Sequence, residues 1–225
     1  MQKLSYTFAL LLAASLLFSS CRNDDGNGNG NNNPGIGDPT ATTDPGVLIG
    51  YIDGNNPIRW ATRNVAAPGT FAETPESPGM FFQWNRRTGW SATNPMISSP
   101  ADAIWDHTDA TGGTWTRAND PCPPGWRVPT LAELEALINA GYEWTPQSGV
   151  NGTVFGSDNN TIFLPAAGFR ATNGTLHDVG TLGYYWSSSP STNATAAMYL
   201  LLQQSSSSVN PTHRALGFSV RCVAE

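Results

Sequence analysis

Few residues in this 225-residue chain have the types and spacing that catalysis or metal binding needs. Three histidines, His107, His177 and His213, lie far apart with no HExxH or other paired-ligand spacing, so they read as isolated surface or turn residues. There is no Gly-x-Ser-x-Gly elbow and no phosphate-binding loop. Hard cations need clustered oxygen ligands, and two stretches offer them: Asp102, Asp106 and Asp109, then Ser157, Asp158, Asn159 and Asn160. The same residue types make Asx-turns in solvated loops, and that is the reading adopted. No metal, cofactor or catalytic residue is therefore expected. The side chains best suited to holding a ligand are aromatic. Trp90, Trp105, Trp115 and Trp144 sit in polar, loop-like surroundings, unlike Trp60 and Trp186 in strand-like runs. Loop tryptophans stack on sugars or anchor protein contacts, and they also pin irregular segments onto a core. These four form the candidate ligand surface, and Phe81 to Trp115 is the candidate variable region.

The remaining reactive side chains are cysteines: Cys21, Cys122 and Cys222. Cys21 comes after a segment with the order of a secretory signal: Lys3, an apolar run from Phe8 to Phe18, then Ser19-Ser20. The run is about a dozen residues, short of the roughly 20 that span a bilayer as a helix. No A-x-A site is present. Leu17-Phe18-Ser19-Ser20-Cys21 instead resembles a bacterial lipobox, with Phe18 where an aliphatic residue is usual. Lipidation of Cys21 would add several acyl chains to one terminus, enough for stable anchoring. Asp24-Asp25 resembles the short acidic export tag of Bacteroidetes surface lipoproteins, so the expected location is the outer membrane, facing outward. Removing Cys21 from the count leaves an even pair in an oxidising compartment. Those two are either bridged, closing a loop of about 100 residues worth about 4.7 kcal/mol in the chain-entropy model, or two buried free thiols.

Elements must position these groups, and composition divides the chain. Residues 1–20 are the signal peptide. Residues 21–45 are rich in Gly, Asn, Pro, Thr and Asp, with Gly26 to Asn33 at their centre, and read as a flexible linker. Residues 46–225 form one domain by length. After the signal there is no lysine, and ten arginines face seventeen acidic residues, a formal charge of −7. Scattered arginines build no basic patch, so nucleic acid is not an expected partner. One helix, about 130–140, is strongly signed: Thr130-x-x-Glu133 is a capping box, Leu131, Leu134, Leu137 and Ile138 share a face, and Gly141 ends it. Runs at Val47–Ile52, Pro57–Asn64, Met80–Trp84, Thr161–Pro165, Tyr184–Ser188, Ala197–Gln203 and Leu216–Val223 read as strands. Seventeen prolines and 23 glycines break the rest into turns and long loops. The expected class is α+β, with short antiparallel strands and one clear helix.

Four blocks resemble a known family in order and spacing. They are Asp120-Pro121-Cys122-Pro123-Pro124-Gly125-Trp126-Arg127-Val128-Pro129-Thr130 with Glu133-Leu134, Phe163-Leu164-Pro165-Ala166-Ala167-Gly168-Phe169-Arg170, Gly183-Tyr184-Tyr185-Trp186-Ser187-Ser188-Ser189, and Gly217-Phe218-Ser219-Val220-Arg221-Cys222-Val223. Together with Trp60-Ala61-Thr62-Arg63-Asn64-Val65, they resemble the Fibrobacter succinogenes major paralogous domain family, common on surface lipoproteins. The resemblance implies a C-type-lectin-like fold in which Tyr184, Tyr185, Trp186 and Phe218 pack a sheet core. In that fold a Cys122–Cys222 bridge ties the helix start to the last strand. The calcium-dependent sugar-binding tripeptides of C-type lectins are missing, and Asn119-Asp120-Pro121 and Trp84-Asn85 echo them only in the wrong places. Anchor, linker and resemblance together imply a surface lipoprotein with a membrane anchor and a non-catalytic binding or adhesion module, its ligand a glycan or a surface protein. Two alternatives stand beside it: a structural or assembly subunit such as a pilus tip, and a formylglycine-generating-type enzyme. The last needs reactive cysteines where this chain has structural ones. Replacing Cys21 (Cys21→Ser) should release the protein from membrane fractions while the domain stays folded, read by fractionation and by thermal melting; retained attachment would overturn the anchor.

Overall fold

Thr130 and Glu133 begin the helix by satisfying each other's backbone. In the computed structural model, which describes residues 43–225, the Thr130 hydroxyl accepts the Glu133 amide at 3.3 Å and Glu133 Oε2 accepts the Thr130 amide at 2.7 Å. The helix runs Leu131–Asn139, and Gly141 comes after it at φ +93°, where a side chain would be strained. Arg127, immediately upstream, forks onto Glu133 with bonds of 2.8 and 2.6 Å, so the cap carboxylate is buried yet fully partnered. Leu134 and Leu137 face a core of Ile49, Trp60, Phe155, Leu164, Tyr185 and Leu200. Cys21, the signal peptide and the linker up to residue 42 lie outside the described residues.

Apart from a single 3-10 turn at Arg117–Asn119, every other regular element among the described residues is strand. Gly183–Pro190, Ala196–Gln203 and Ser206–His213 form one antiparallel meander, and Tyr142–Trp144, Gly152–Ser157 and Asn160–Pro165 a second. A four-stranded sheet orders Val47–Ile52, Asn56–Trp60, Val223–Ala224 and Trp126–Arg127, so the last strand is clasped between two early ones. A six-stranded sheet of very short pieces runs Leu176–His177, Phe169–Arg170, Gly217–Phe218, Met80–Gln83, Gly89–Ser91 and Ser98–Ser99. Strand accounts for 41% of the structure and helix for 7%, in four antiparallel sheets. The α+β expectation is thereby overturned, and the C-type-lectin-like architecture implied by the resemblance falls with it. The one helix carries the loudest local signal in the chain, whereas two- and three-residue strands are held by tertiary pairing and have no periodicity to detect. The run expected at Leu216–Val223 is two separate pieces, Gly217–Phe218 and Val223–Ala224, with Ser219 to Cys222 between them.

Aromatic burial and one disulfide hold the short strands. Trp84, Trp186, Phe71, Phe82, Trp126 and Phe218 pack one core beside Cys122 and Cys222. These cysteines are bridged, with Cα atoms 6.1 Å apart and 100 residues between them in sequence. Burial opposes ionisation of Glu133, but the hydrogen bonds from Arg127 and Thr130 outweigh it and hold its pKa below the ordinary 4.5. A carboxylate with a depressed folded pKa contributes stability that is complete above its unfolded pKa and lost as pH falls through the folded value. A Glu133→Gln variant should therefore lose about 1–2 kcal/mol at pH 7. Its urea-unfolding free energy should also fall less steeply than the parent's below pH 4.5. An unchanged acid limb would count against this role.

Candidate functional site

The four tryptophans singled out by sequence are folded inward. Trp90 and Trp105 are buried against each other, ring centroids 5.0 Å apart, and Trp105 Nε1 donates to the Thr172 carbonyl at 2.8 Å. Trp115 packs edge-on to Trp84 at 5.7 Å and donates to the Asn119 carbonyl at 3.0 Å. Trp144 is half-buried on a strand beside the core under the helix. In a loop that alternates no apolar residues, one indole supplies a large buried area and a donor for an unpaired carbonyl. Trp90, Trp105 and Trp115 fasten the 84–119 region to the domain, so their faces are unavailable for stacking, whereas Trp144 stays half-exposed.

The polar candidates are likewise engaged in structure. The hydroxyl and amide of Thr108, and then Arg86, bring the Asp106 pKa down to about 2. Asp109 accepts the Ala215 amide at 2.9 Å and sits 3.2 Å from His213 Nδ1. His107 Nδ1 lies 2.9 Å from the Thr172 carbonyl. Asp158 and Asn159 turn the hairpin between Gly152–Ser157 and Asn160–Pro165. Among the described residues, no three His, Cys, Asp or Glu side chains gather as a metal site would require. A groove of about 610 Å³ runs between the helix and Val47–Ile52, lined by the small residues Gly50, Ala132, Ala136, Ala140 and Gly156 and by the polar Tyr51, Asp53, Glu135, Asn139 and Asn160.

A different surface emerges from strand alternation. Successive side chains in Gly183–Pro190 point to opposite faces, sending Tyr185 into the core beneath the helix and Tyr184 and Trp186 to the other side. Trp186 is sealed under Phe218, centroids 4.3 Å apart, and donates to the Phe82 carbonyl at 2.7 Å. Tyr184 stays half-exposed. Pairing sets Trp186 opposite Tyr199 and Tyr184 opposite Leu201, so Tyr199 and Leu201 share this face. Tyr184 and Tyr199 lie nearly parallel at 5.9 Å, Phe169 joins Tyr184 at 4.7 Å, and the exposed His177 stacks on Phe169 at 5.4 Å. The result is a continuous run of four partly exposed rings. Burial, and then the hydrogen bond to Asp178 at 2.7 Å, push the Tyr184 pKa well up, so its phenol stays protonated and donating.

The next strand completes the face with short polar groups. Asn210 pairs opposite Tyr199 and Ser208 opposite Leu201, and alternation adds Ser206 and Thr212, all half-exposed. Asn210 Nδ2 donates to Ser208 Oγ at 3.0 Å. Sequence reading assigned the Tyr-Tyr-Trp run entirely to core. Tyr185, Trp186 and Phe218 are buried as expected, whereas Tyr184 belongs to the surface. Alternation puts Tyr184 on the face of the buried Trp186, so nothing local marks it as surface; its partial exposure is set by tertiary packing. Ser205 to Ser208 resembles a loop, and nothing local marks its last three residues as strand.

Residues 144–223 are similar to a family described as a domain of unknown function (DUF8237), and this match spans well under half of the chain. It includes all four rings and the serine–asparagine strand. No curated protein and no solved structure matches the chain. Since Trp105 is buried and bonded, Trp105→Ala should destabilise the fold by about 3–5 kcal/mol in denaturant titrations; a loss of under about 1 kcal/mol would show that the indole is not a loop fastener.

Proposed function

We propose that this protein is an exported lipoprotein, anchored at the outer membrane through Cys21, that presents a non-catalytic binding module to the cell's surroundings. The signal and lipobox-like residues support the anchor, and so does the resemblance of the four sequence blocks to the Fibrobacter succinogenes major paralogous domain. The observation that carries the binding reading is the run Tyr199, Tyr184, Phe169 and His177, partly exposed and continuous across two sheets. Half-exposed stacked rings are costly to leave in water and well suited to contact.

The neighbourhood of the titratable groups favours binding over chemistry. Asp106, Asp109, Asp120 and Glu133 each accept backbone or arginine donors that shape loops and caps. Cys122 and Cys222 are joined to each other, which leaves neither as a free thiol for formylglycine-type chemistry. Buried tryptophans in the 84–119 region move the expected contact surface from that loop to the ring-lined sheet face. The test is to immobilise the full-length protein and present panels of oligosaccharides and purified surface proteins. Saturable binding should appear and fall by about tenfold or more in the Tyr184→Ala/Tyr199→Ala double variant, read well below that variant's own melting temperature because both rings also pack on Phe218. Binding that survives both substitutions would remove this face from the proposal, and the absence of saturable binding across both panels would remove the module.

A further inference from the structure

Building on the binding reading above, we propose that the ligand of this face is an uncharged glycan chain. The positions that define the face are Tyr184, Tyr199, Leu201, Ser206, Ser208 and Asn210, and none carries a formal charge. The charge beside them is the Asp178 carboxylate, which accepts a hydrogen bond from the Tyr184 phenol and would repel an anionic ligand. In a mature chain with ten arginines against seventeen acidic residues, such a surface departs from the average. A sulfated or uronate-bearing ligand would need arginine forks, and the arginines among the described residues lie elsewhere, Arg59 and Arg87 on the Pro45 and Asp120 carbonyls. Arg170, Arg214 and Arg221 are buried on backbone carbonyls, while Arg63, Arg86, Arg117 and Arg127 pair with carboxylates.

The remaining chemistry matches a neutral sugar. A pyranose offers one face of C–H groups and a rim of hydroxyls that both donate and accept. Tall rings of Tyr184 and Tyr199 stand next to a strand of short side chains, so the surface steps down from an apolar wall to a hydroxyl and amide floor. A sugar resting against the rings reaches Ser208 and Asn210 with its hydroxyl rim. Serine can take either hydrogen-bond role, and the Asn210 amide supplies both within one side chain. The serine row also weighs against a protein partner, since serine is depleted at protein–protein interfaces while tyrosine is enriched. The repeat along the strand, Ser206, Ser208, Asn210, Thr212, presents such groups at every second residue and suits a chain of sugars over a single one.

The test uses the full-length protein in detergent micelles, titrated with neutral hexose and N-acetylhexosamine oligosaccharides, with sulfated and uronate-bearing ones, and with the surface-protein panel. Neutral chains should bind, with affinity rising from disaccharide to longer oligomers. Tyr199→Ala should weaken binding about tenfold or more, Tyr199→Phe much less, and Asn210→Ala by several-fold, each read well below the variant's own melting temperature, which Tyr199→Ala lowers through lost packing on Phe218. Binding confined to charged glycans, or neutral binding unmoved by Tyr199→Ala, would overturn the proposal. Tyr199-dependent capture of a polypeptide with no glycan bound would overturn it too, yet leave the binding module standing. Failure of every ligand class to bind would remove both.

Discussion

Unpaired carbonyls are the central problem of this fold, and buried arginines are its answer. Two-residue strands and long connections leave main-chain acceptors with no ladder to join, and a buried acceptor without a donor costs about 1–3 kcal/mol. Arg221 is fully buried and bonds Asn64 Oδ1, the Ala61 carbonyl and the Phe163 carbonyl at 2.9–3.2 Å. One guanidinium thereby ties the first sheet, the second meander and the last strand. Arg214 holds the carbonyls of Ala196, Ala110 and Gly112, and lies 4.1 Å over the Trp84 ring. Arg170 holds those of Ser91, Thr93 and Gly174. None of the three touches a carboxylate. Burial lowers the Arg221 pKa to about 10, with Tyr185 and Asp44 opposing, so it remains charged at neutral pH and carbonyl dipoles carry the compensation. An ammonium has three donors on a flexible stem and no planar fork. A mature chain with arginine but no lysine fits this use.

These pins connect the fold to the candidate site. Arg170 and Phe169 are neighbours on one strand and so project to opposite sides. By fixing the 91–94 loop and Gly174 from within, Arg170 fixes the strand that holds Phe169 against Tyr184 and His177 without. Trp186 acts from the same side of its sheet as Tyr199 and Tyr184: its buried indole, locked to the Phe82 carbonyl, packs beside them with Phe218. The rings of the surface run are thus backed by rigid anchors, and preorganisation of this kind reduces the entropy that binding must spend.

Sequence made the helix legible to its cap, because Thr130 and Glu133 act within one turn and need no distant partner. It also located Val47–Ile52 to the residue and most of the longer strands within a few positions. Gly152–Ser157 and Ser206–His213 escaped notice, since Gly, Thr and Ser carry weak strand propensity and gain their order from pairing with Asn160–Pro165 and Ala196–Gln203. The paired cysteines could be counted, and their bridge results from a topology that sets the last strand beside Trp126–Arg127. The burial of Trp90, Trp105 and Trp115 is illegible in sequence for a related reason. Polar surroundings in sequence suggested exposed tryptophans, yet Trp90 and Trp105 meet each other and Thr172 through contacts some 15 and 67 residues distant. Solvent exposure of an aromatic ring is a tertiary property.

The sheet that carries the ring face also protects its free edge. Ser206–His213 is the terminal strand of its meander, and a long exposed edge invites another chain to add a strand. Pro211 interrupts that edge by removing a backbone donor, and Ser206, Ser208 and Asn210 offer no apolar grip for an added strand. The same short residues that blunt the edge leave the Ser206–His213 side of the half-buried Tyr199 uncovered, while its other side packs on Tyr184 and Phe218. Protection of the edge and partial exposure of Tyr199 thus arise from one choice of side chains.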